Sequence, residues 1–481
     1  MITRKNKRNA KIGVFAVAHA TYWGQFEGLY ENLMGFHKDF CEIVKENDVE
    51  IVDFGMVDSS EKGYEVAKKM QAENLDLVFC NMVTYATSSV FAPIMREVNR
   101  PIVLTALQPR DALDYDKANT FMQLENDSIC SVPEFTGVAI RLGKKVHDVI
   151  IGCLYDDEQA KADIAEWCNI AKVLHDLKGA RMGLMGHVME AMYDMHADPT
   201  AISAAFGLHV PLLEVDDVLE LYDAVTEDEV KEKIELIDRE FDMPAPKSDP
   251  VTTKLTDEDK YQAAKSALAL DKLVEKYNLT GLAYYYEGRD NSMHRKVATT
   301  FIVGNSILNA QGIPMCGEYD IKTCIAMLIM DRLDIGGSFA ELHPFDFKED
   351  FILIGHDGPH HLRIAEGKPV IRSLKKYHGK PGSGASVEFK LKEGPITMLG
   401  ITQTAEGKFK FIIGEGISKA GDIPPTGNTN TRGFFEPTTK EFIKKWVMLG
   451  PTHHYALGIG HHAKTIAKIA DVLGIEYVIV K

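Results

Sequence analysis

The chain of 481 residues is too long for one ordinary core and predicts roughly two to four domains. Its 45% hydrophobic and 26% charged content is that of a soluble globular protein, and no run approaches the about 18 apolar residues a membrane helix needs. A formal net charge of −16 argues against a nucleic-acid partner, whose phosphates demand clustered Lys and Arg.

The one basic cluster, Arg4-Lys5-Asn6-Lys7-Arg8, reads as a solvated start. With Ile12–Ala18 it imitates a signal peptide, but the apolar run is short and reads better as a first strand. Strands are predicted at Lys11–Val17, Glu50–Met56, Asp76–Asn81, Pro101–Leu107 and Asp148–Leu154, with helical patterns such as Tyr64–Glu73 and Asp157–Leu177 among and after them. That alternation predicts a parallel sheet with helices on both faces. Ala18-His19-Ala20-Thr21-Tyr22-Trp23-Gly24 follows the first strand, so no Gly-rich dinucleotide fingerprint is present.

A second α/β region begins near Arg181. It holds strand candidates at His209–Val215 and Thr280–Tyr286, a charged helix over Asp257–Tyr277, and a Pro-rich surface loop over Asp242–Pro250. Beyond about residue 335, short alternating runs (Ser386–Leu391, Pro395–Gln403, Lys408–Gly414) separated by Gly-rich turns predict an antiparallel sheet or small barrel. Helices at Lys440–Leu449 and about Ala463–Leu473 and a strand at Ile475–Val480 close the chain. The domain reading is therefore 1–180 and 181–333, both α/β, then a β-rich 334–481. Seven scattered cysteines without CxxC spacing point to reduced thiols and a cytoplasmic setting.

Four residues carry the chemistry. Glu318 stands in Gly317-Glu318-Tyr319-Asp320 before a helical stretch, and Glu341 in Gly336-Gly337-Ser338-Phe339-Ala340-Glu341. His356 closes the run Phe351–Gly355, and His454 ends Gly450-Pro451-Thr452-His453-His454. Each has an ordinary structural reading: a helix-start acid favoured by the macrodipole, a solvated loop acid, a packed imidazole. Adjacent His453 and His454 cannot point the same way on a regular element. Together, two carboxylates and two imidazoles suit Mn²⁺, Fe²⁺ or Co²⁺. Such a cation polarises a carbonyl as a Lewis acid while a carboxylate beside it moves a proton.

The order of these segments resembles the L-arabinose isomerases. Gly317–Thr323 is similar to their Glu-Gly-Asp-x-Lys-Thr, and Gly336–Glu341 to their Gly-Gly-Thr-Ser-Phe-Met-Glu. Ile354-Gly355-His356 resembles the Leu-Gly-x-His that follows, after a loop about two residues shorter, and Leu449–His454 their Ala-Gly-Gly-Ala-His-His. Tyr22-Trp23-Gly24, Asn126-Asp127-Ser128, Glu134-Phe135 and Met189 extend the likeness over nearly the whole chain, thinly outside Gly317–His356. Departures fall at Ala20 and Cys130, where that family has Gln and His, and at Gly427–Gly433, which has no counterpart there. They leave the sugar open.

The resemblance implies two doubly wound (Rossmann-like) α/β domains followed by a C-terminal β-barrel-like domain. It implies an Mn²⁺-dependent aldose–ketose isomerase working through an enediol, and homo-oligomers, commonly hexamers, with pockets at subunit boundaries. Glu318 and Glu341 would be both ligands and the acid/base pair, with His356 and His454 completing the shell. Tyr22, Met189, Tyr285 and Arg432 are substrate-pocket candidates. The alternatives are a metal-dependent epimerase of the same fold, or a non-catalytic sugar-binding or regulatory protein. The expected partner is a small sugar, with no nucleic acid and no membrane.

Overall fold

A computed structural model describes residues 2–245, 252–374 and 384–481. The chain forms two compact units, one of Arg8–Asp176 and one of Leu177–Lys481 with Met1–Lys7.

The first unit runs β1 (Lys11–Val17), α1 (Leu29–Lys45), β2 (Glu50–Val57), α2 (Ser60–Ala72), β3 (Leu77–Met82), α3 (Ser88–Glu97), β4 (Ile102–Gln108), α4 (Thr120–Glu125), α5 (Val132–Arg141), β5 (Asp148–Cys153) and α6 (Glu158–Gly179). Its five strands pair in parallel in the order β2-β1-β3-β4-β5. The period of two along β1 explains the layers. Phe15 and Val17 pack with residues of α2, α3 and α5, while Ala16 and Ala18 pack with Leu29 and Leu33 of α1 and Leu124 of α4. Buried on both sides, β1 and β3 read as near-continuous apolar runs. The parallel-sheet expectation and all five strand positions hold to within a residue or two.

The second unit begins with β6 (Met182–Met185), α7 (Pro199–Phe206), β7 (Leu212–Leu213), α8 (Val215–Asp223), α9 (Glu227–Glu240), β8 (Thr252–Thr253), α10 (Asp257–Tyr277), β9 (Gly281–Tyr284), α11 (Met293–Ala298), α12 (Ile302–Ala310), β10 (Met315–Cys316) and α13 (Ile321–Arg332). Strands β10-β9-β6-β7 form a short parallel sheet. The strand expected over His209–Val215 shrinks to two residues, because Glu214 caps α8 through a reciprocal pair with Asp217 and helix starts at Val215. Part of the loop expected at 242–250 lies outside the described residues. Every residue of α13 is buried, its apolar middle and also Lys322, Thr323, Asp331 and Arg332 near its ends.

The rest comprises β11 (Gly336–Asp346), β12 (Phe351–Gly355), β13 (Val370–Leu374), β14 (Gly384–Glu388), β15 (Gly394–Gln403), β16 (Phe409–Lys419), β17 (Thr431–Phe434), α14 (Thr439–Met448), β18 (Tyr455–Ile459), α15 (Ala463–Leu473) and β19 (Glu476–Ile479). Six of these strands close on themselves in the order β15-β18-β11-β12-β17-β16, with β15 pairing back to β16, all antiparallel. The expected small barrel is thus present, and β19 adds in parallel outside β16. Alternate residues fill it: Ile352 and Ile354, Ile396 and Met398, Tyr455 and Leu457, with Trp446 and Phe442 of α14. The predicted strand at Ser386–Leu391 is β14. It stays out of the barrel and pairs with β13, which pairs with β8.

Gly337 lets β11 leave α13 closely. Its φ is +105°, and a Cβ there would sit 2.7 Å from the Met327 carbonyl oxygen. Gly337→Ala meets backbone on one side and a disfavoured φ on the other, so a loss of about 1–3 kcal/mol is expected. Urea unfolding should show a lower midpoint at unchanged slope.

Candidate metal centre

Strand register and one helix start bring the four residues together in the second unit. Glu341 on β11 pairs opposite Gly355 of β12, which sets His356 just past it. His454 immediately precedes β18, the other neighbour of β11. Glu318 precedes the N-cap of α13, where Asp320 accepts from the Thr323 N–H and hydroxyl.

Both Glu318 and Tyr319 lie in the left-handed region, at φ +60° and +61°. Such strain collects at functional sites and needs outside support. Here the Tyr319 N–H donates to the Tyr284 carbonyl at 2.9 Å. The glycine in the corresponding motif of the arabinose isomerases would suit this φ.

Donor atoms of Glu318, His356 and His454 lie within 4.8 Å of one another, as do those of Glu341, His453 and His454. Glu318 Oε2 is 3.4 Å from His454 Nε2, and Glu341 Oε1 is 4.0 Å from His356 Nε2. Glu318, His356 and His454 are buried, while the Glu341 side chain is 32% exposed and so open to a ligand.

The donors are also oriented. His356 donates Nδ1–H to the Gly358 carbonyl at 2.7 Å, leaving Nε2 to face the site. His454 donates Nδ1–H to Asp320 at 3.2 Å, the carboxylate–imidazole pairing typical behind a metal ligand. Burial pushes the Asp320 carboxyl up, but hydrogen bonds from His454 and Thr323 and the nearby Lys322 charge hold it below the usual range. His454 Nε2 is buried without a hydrogen-bond partner among the described residues. Such an atom calls for a partner, and a divalent cation about 2.0–2.3 Å from each donor fits the spacing. The donor set fits a cation of the Mn²⁺, Fe²⁺ or Co²⁺ kind.

Two residues join the four. His453 and His454 stand in a bend rather than a regular element, so both rings face Glu318, with His453 Nε2 at 3.9 Å and the ring centroids 3.8 Å apart. Asp194 fixes His453 by accepting from its backbone N–H at 2.9 Å and its Nδ1–H at 2.6 Å. Lys322, deep in the first turn of α13, donates to the Asp194 and His196 carbonyls at 2.9 and 3.1 Å and so anchors that loop. The second is His343. It lies two residues beyond Glu341 on the same strand face, with a buried Nε2 4.0 Å from Glu341 Oε1. The period of two along β11 carried that signal.

A cavity of about 50 Å³ opens beside Glu318 and His356, walled by Tyr284, Tyr286, Thr299, Ile302 and Pro359. Strand alternation puts Tyr284 and Tyr286 there, while Tyr285 turns to stack on His187 at 4.0 Å. Met189 is buried in the loop after β6, and its carbonyl accepts from His196. Arg432 pairs with Glu349 at 2.8 Å and lies over the Phe351 and Phe434 rings, with none of the four donors among these partners. Tyr22, in the first unit, follows β1 in a short 3₁₀ turn with its ring edge-on to His19 and Phe26.

All seven cysteines are free. No helix among the described residues is long and apolar enough to cross a membrane.

Residues 353–481 match the family described as L-fucose isomerase, C-terminal domain. L-arabinose isomerase 1 of Bacillus licheniformis is 21% identical over 406 residues, covering 83% of this chain and 79% of that protein. The L-arabinose isomerase of a Nocardioides species is 24% identical over 83% of this chain and 79% of its own length, and that of Bacillus subtilis 23% over 82% and 77%. Over most of its length the chain is thus similar to L-arabinose isomerases at 21–24% identity, and its C-terminal part to the L-fucose isomerase C-terminal domain.

Proposed function

We propose that this protein is a cytoplasmic, metal-dependent aldose–ketose isomerase acting on the open-chain form of a pentose, hexose or related sugar. The observation that supports the reading is that donors of Glu318, His356 and His454, and of Glu341, His453 and His454, form two groups within 4.8 Å that share His454, with Glu341 Oε1 4.0 Å from His356 Nε2. Those four residues would hold the cation, Mn²⁺ by preference or Co²⁺ or Fe²⁺. When bound it supplies Lewis-acid polarisation of the sugar carbonyl and its neighbouring hydroxyl.

Glu341, the more open carboxylate, takes the proton from C2 and returns it to C1. Glu318 moves the proton between the two oxygens, and the enediol lies between these steps. His343 Nε2 and His453 Nε2 lie 4.0 and 3.9 Å from oxygens of Glu341 and Glu318, beside the two carboxylates. Tyr22, Met189, Tyr285 and Arg432 remain candidate pocket residues, with Tyr284 and Tyr286 added by the cavity. The reading also takes in two Rossmann-like domains (1–180 and 181–333), a C-terminal barrel domain (334–481), and a homo-oligomer of hexamer type.

The test is a panel of aldoses and ketoses incubated with the Mn²⁺-loaded protein and followed by NMR, beside an EDTA-stripped sample. Carbonyl migration in the loaded sample alone is the expected result. Inversion at C2 or C4 without migration would make the protein an epimerase. Absence of stoichiometric metal after reloading would make it a sugar-binding protein.

A further inference from the structure

We propose a second metal site, in the first unit, where His37, Cys41 and Asp53 hold a thiophilic divalent cation such as Zn²⁺. His37 and Cys41 stand one helical turn apart on α1 and are both buried, and Asp53 faces them from β2. The Asp53 Oδ1 is 2.9 Å and the Cys41 Sγ 3.8 Å from the same ring nitrogen, His37 Nε2. Tetrahedral N, O and S ligands around zinc stand roughly 3.3–3.5 Å apart, given metal–ligand lengths of about 2.0–2.3 Å. All three donors lie within 4.8 Å of one another, so shifts of about half an ångström let them share one cation.

That convergence separates the cluster from a nucleophile triad. A triad needs the thiol on one ring nitrogen and the carboxylate on the other, whereas here one nitrogen meets both.

Two further features suit a ligand site. β2 bulges against β1 between Asp53 and Met56, with Gly55 at φ +70° donating its N–H to Asp53 Oδ1 at 2.7 Å, so the irregularity aims the carboxylate. Behind the ring, Asn81 sits 3.3 Å from His37 Nδ1 and also bonds Thr105. An amide placed there can accept the Nδ1–H of a metal-bound imidazole once its side chain turns over. On binding, Cys41 releases its thiol proton, the imidazole proton passes from Nε2, where it faces Asp53, to Nδ1, and one thiolate with one carboxylate neutralises the dication. Asp53 is half-exposed, which leaves the fourth position to water and gives the ion an entry path. The effect is a staple between α1 and the edge strand β2.

Cobalt titration of the EDTA-stripped full chain tests this, since a thiolate–Co²⁺ bond gives a charge-transfer band that the nitrogen–oxygen centre in the second unit cannot. One such band, saturating at one equivalent, is expected. It should vanish in Cys41→Ser, need at least about tenfold more Co²⁺ in Asp53→Asn, and persist in Glu318→Gln. Asp53→Asn changes a half-exposed side chain and keeps the test open should Cys41→Ser fold poorly. Absence of the band in the unmodified chain, or its survival in Cys41→Ser, overturns the site.

Discussion

Glu341→Gln is expected to lower turnover at least about 10²-fold while the protein keeps its fold. The substitution preserves shape and removes the charge that accepts a proton, and the side chain is one-third exposed, so little packing is at stake. If Glu341 is the base, kcat and kcat/KM fall together, because the lost interaction belongs to the transition state. Steady-state kinetics and metal content should be measured on one preparation. Activity within a few-fold of the parent with the metal still bound would move the base elsewhere. Glu318→Gln offers the contrast. That carboxylate is buried with its Oε2 against His454, so loss of bound metal is the expected result there.

The second large effect lies at the far end of α13. Asp331 is buried and accepts from both guanidinium nitrogens of Arg4, from Arg332, and from His361 Nε2 at 3.1 Å. Removing it takes away the carboxylate that the buried Arg332, Arg4 and His361 share, and Asp331→Ala is expected to cost about 3–5 kcal/mol. Urea denaturation reads the change directly. A loss under about 1 kcal/mol would mean that water or the Gly312 carbonyl, already 2.9 Å from Arg332, satisfies the cation unaided.

The same group sets a pH dependence. Burial pushes the Asp331 carboxyl up, but the His361 hydrogen bond and the Arg332 and Arg4 charges outweigh it and hold the carboxyl well below the ordinary value. A depressed folded-state value stabilises above the unfolded value of about 3.9. That contribution is intact above about pH 4 and drains away as the pH falls toward the folded-state value. Asp331→Ala should show a correspondingly weaker loss on acidification.

The parts of the fold legible in the sequence are those where one period dominates. The five strands of the first unit and the Asp257–Tyr277 helix stand close to their predicted places, because long apolar runs and a Thr256–Asp259 cap mark them. The barrel was legible as alternation. Its closure was not, since pairing β15 with both β16 and β18 is a non-local fact that no window contains. At the site, residue types and order pointed to Glu318, Glu341, His356 and His454. The second ring of the His453–His454 pair escaped because a bend, not a helix or strand, carries them. The sequence reading offers Tyr285, whereas Tyr284 and Tyr286 line the cavity, because three tyrosines in a row hide which of them face it.

The β11–β12 hairpin bears on how such sites tolerate insertions and deletions. Glu341 and His356 face each other from strands clamped on both flanks, β11 by β12 and β18, β12 by β11 and β17. Slippage by one position would turn Glu341 outward and break ladders on two sides at once. The connecting tip at 347–350 can therefore gain or lose residues without shifting either side chain, so length variation there leaves the chemistry untouched.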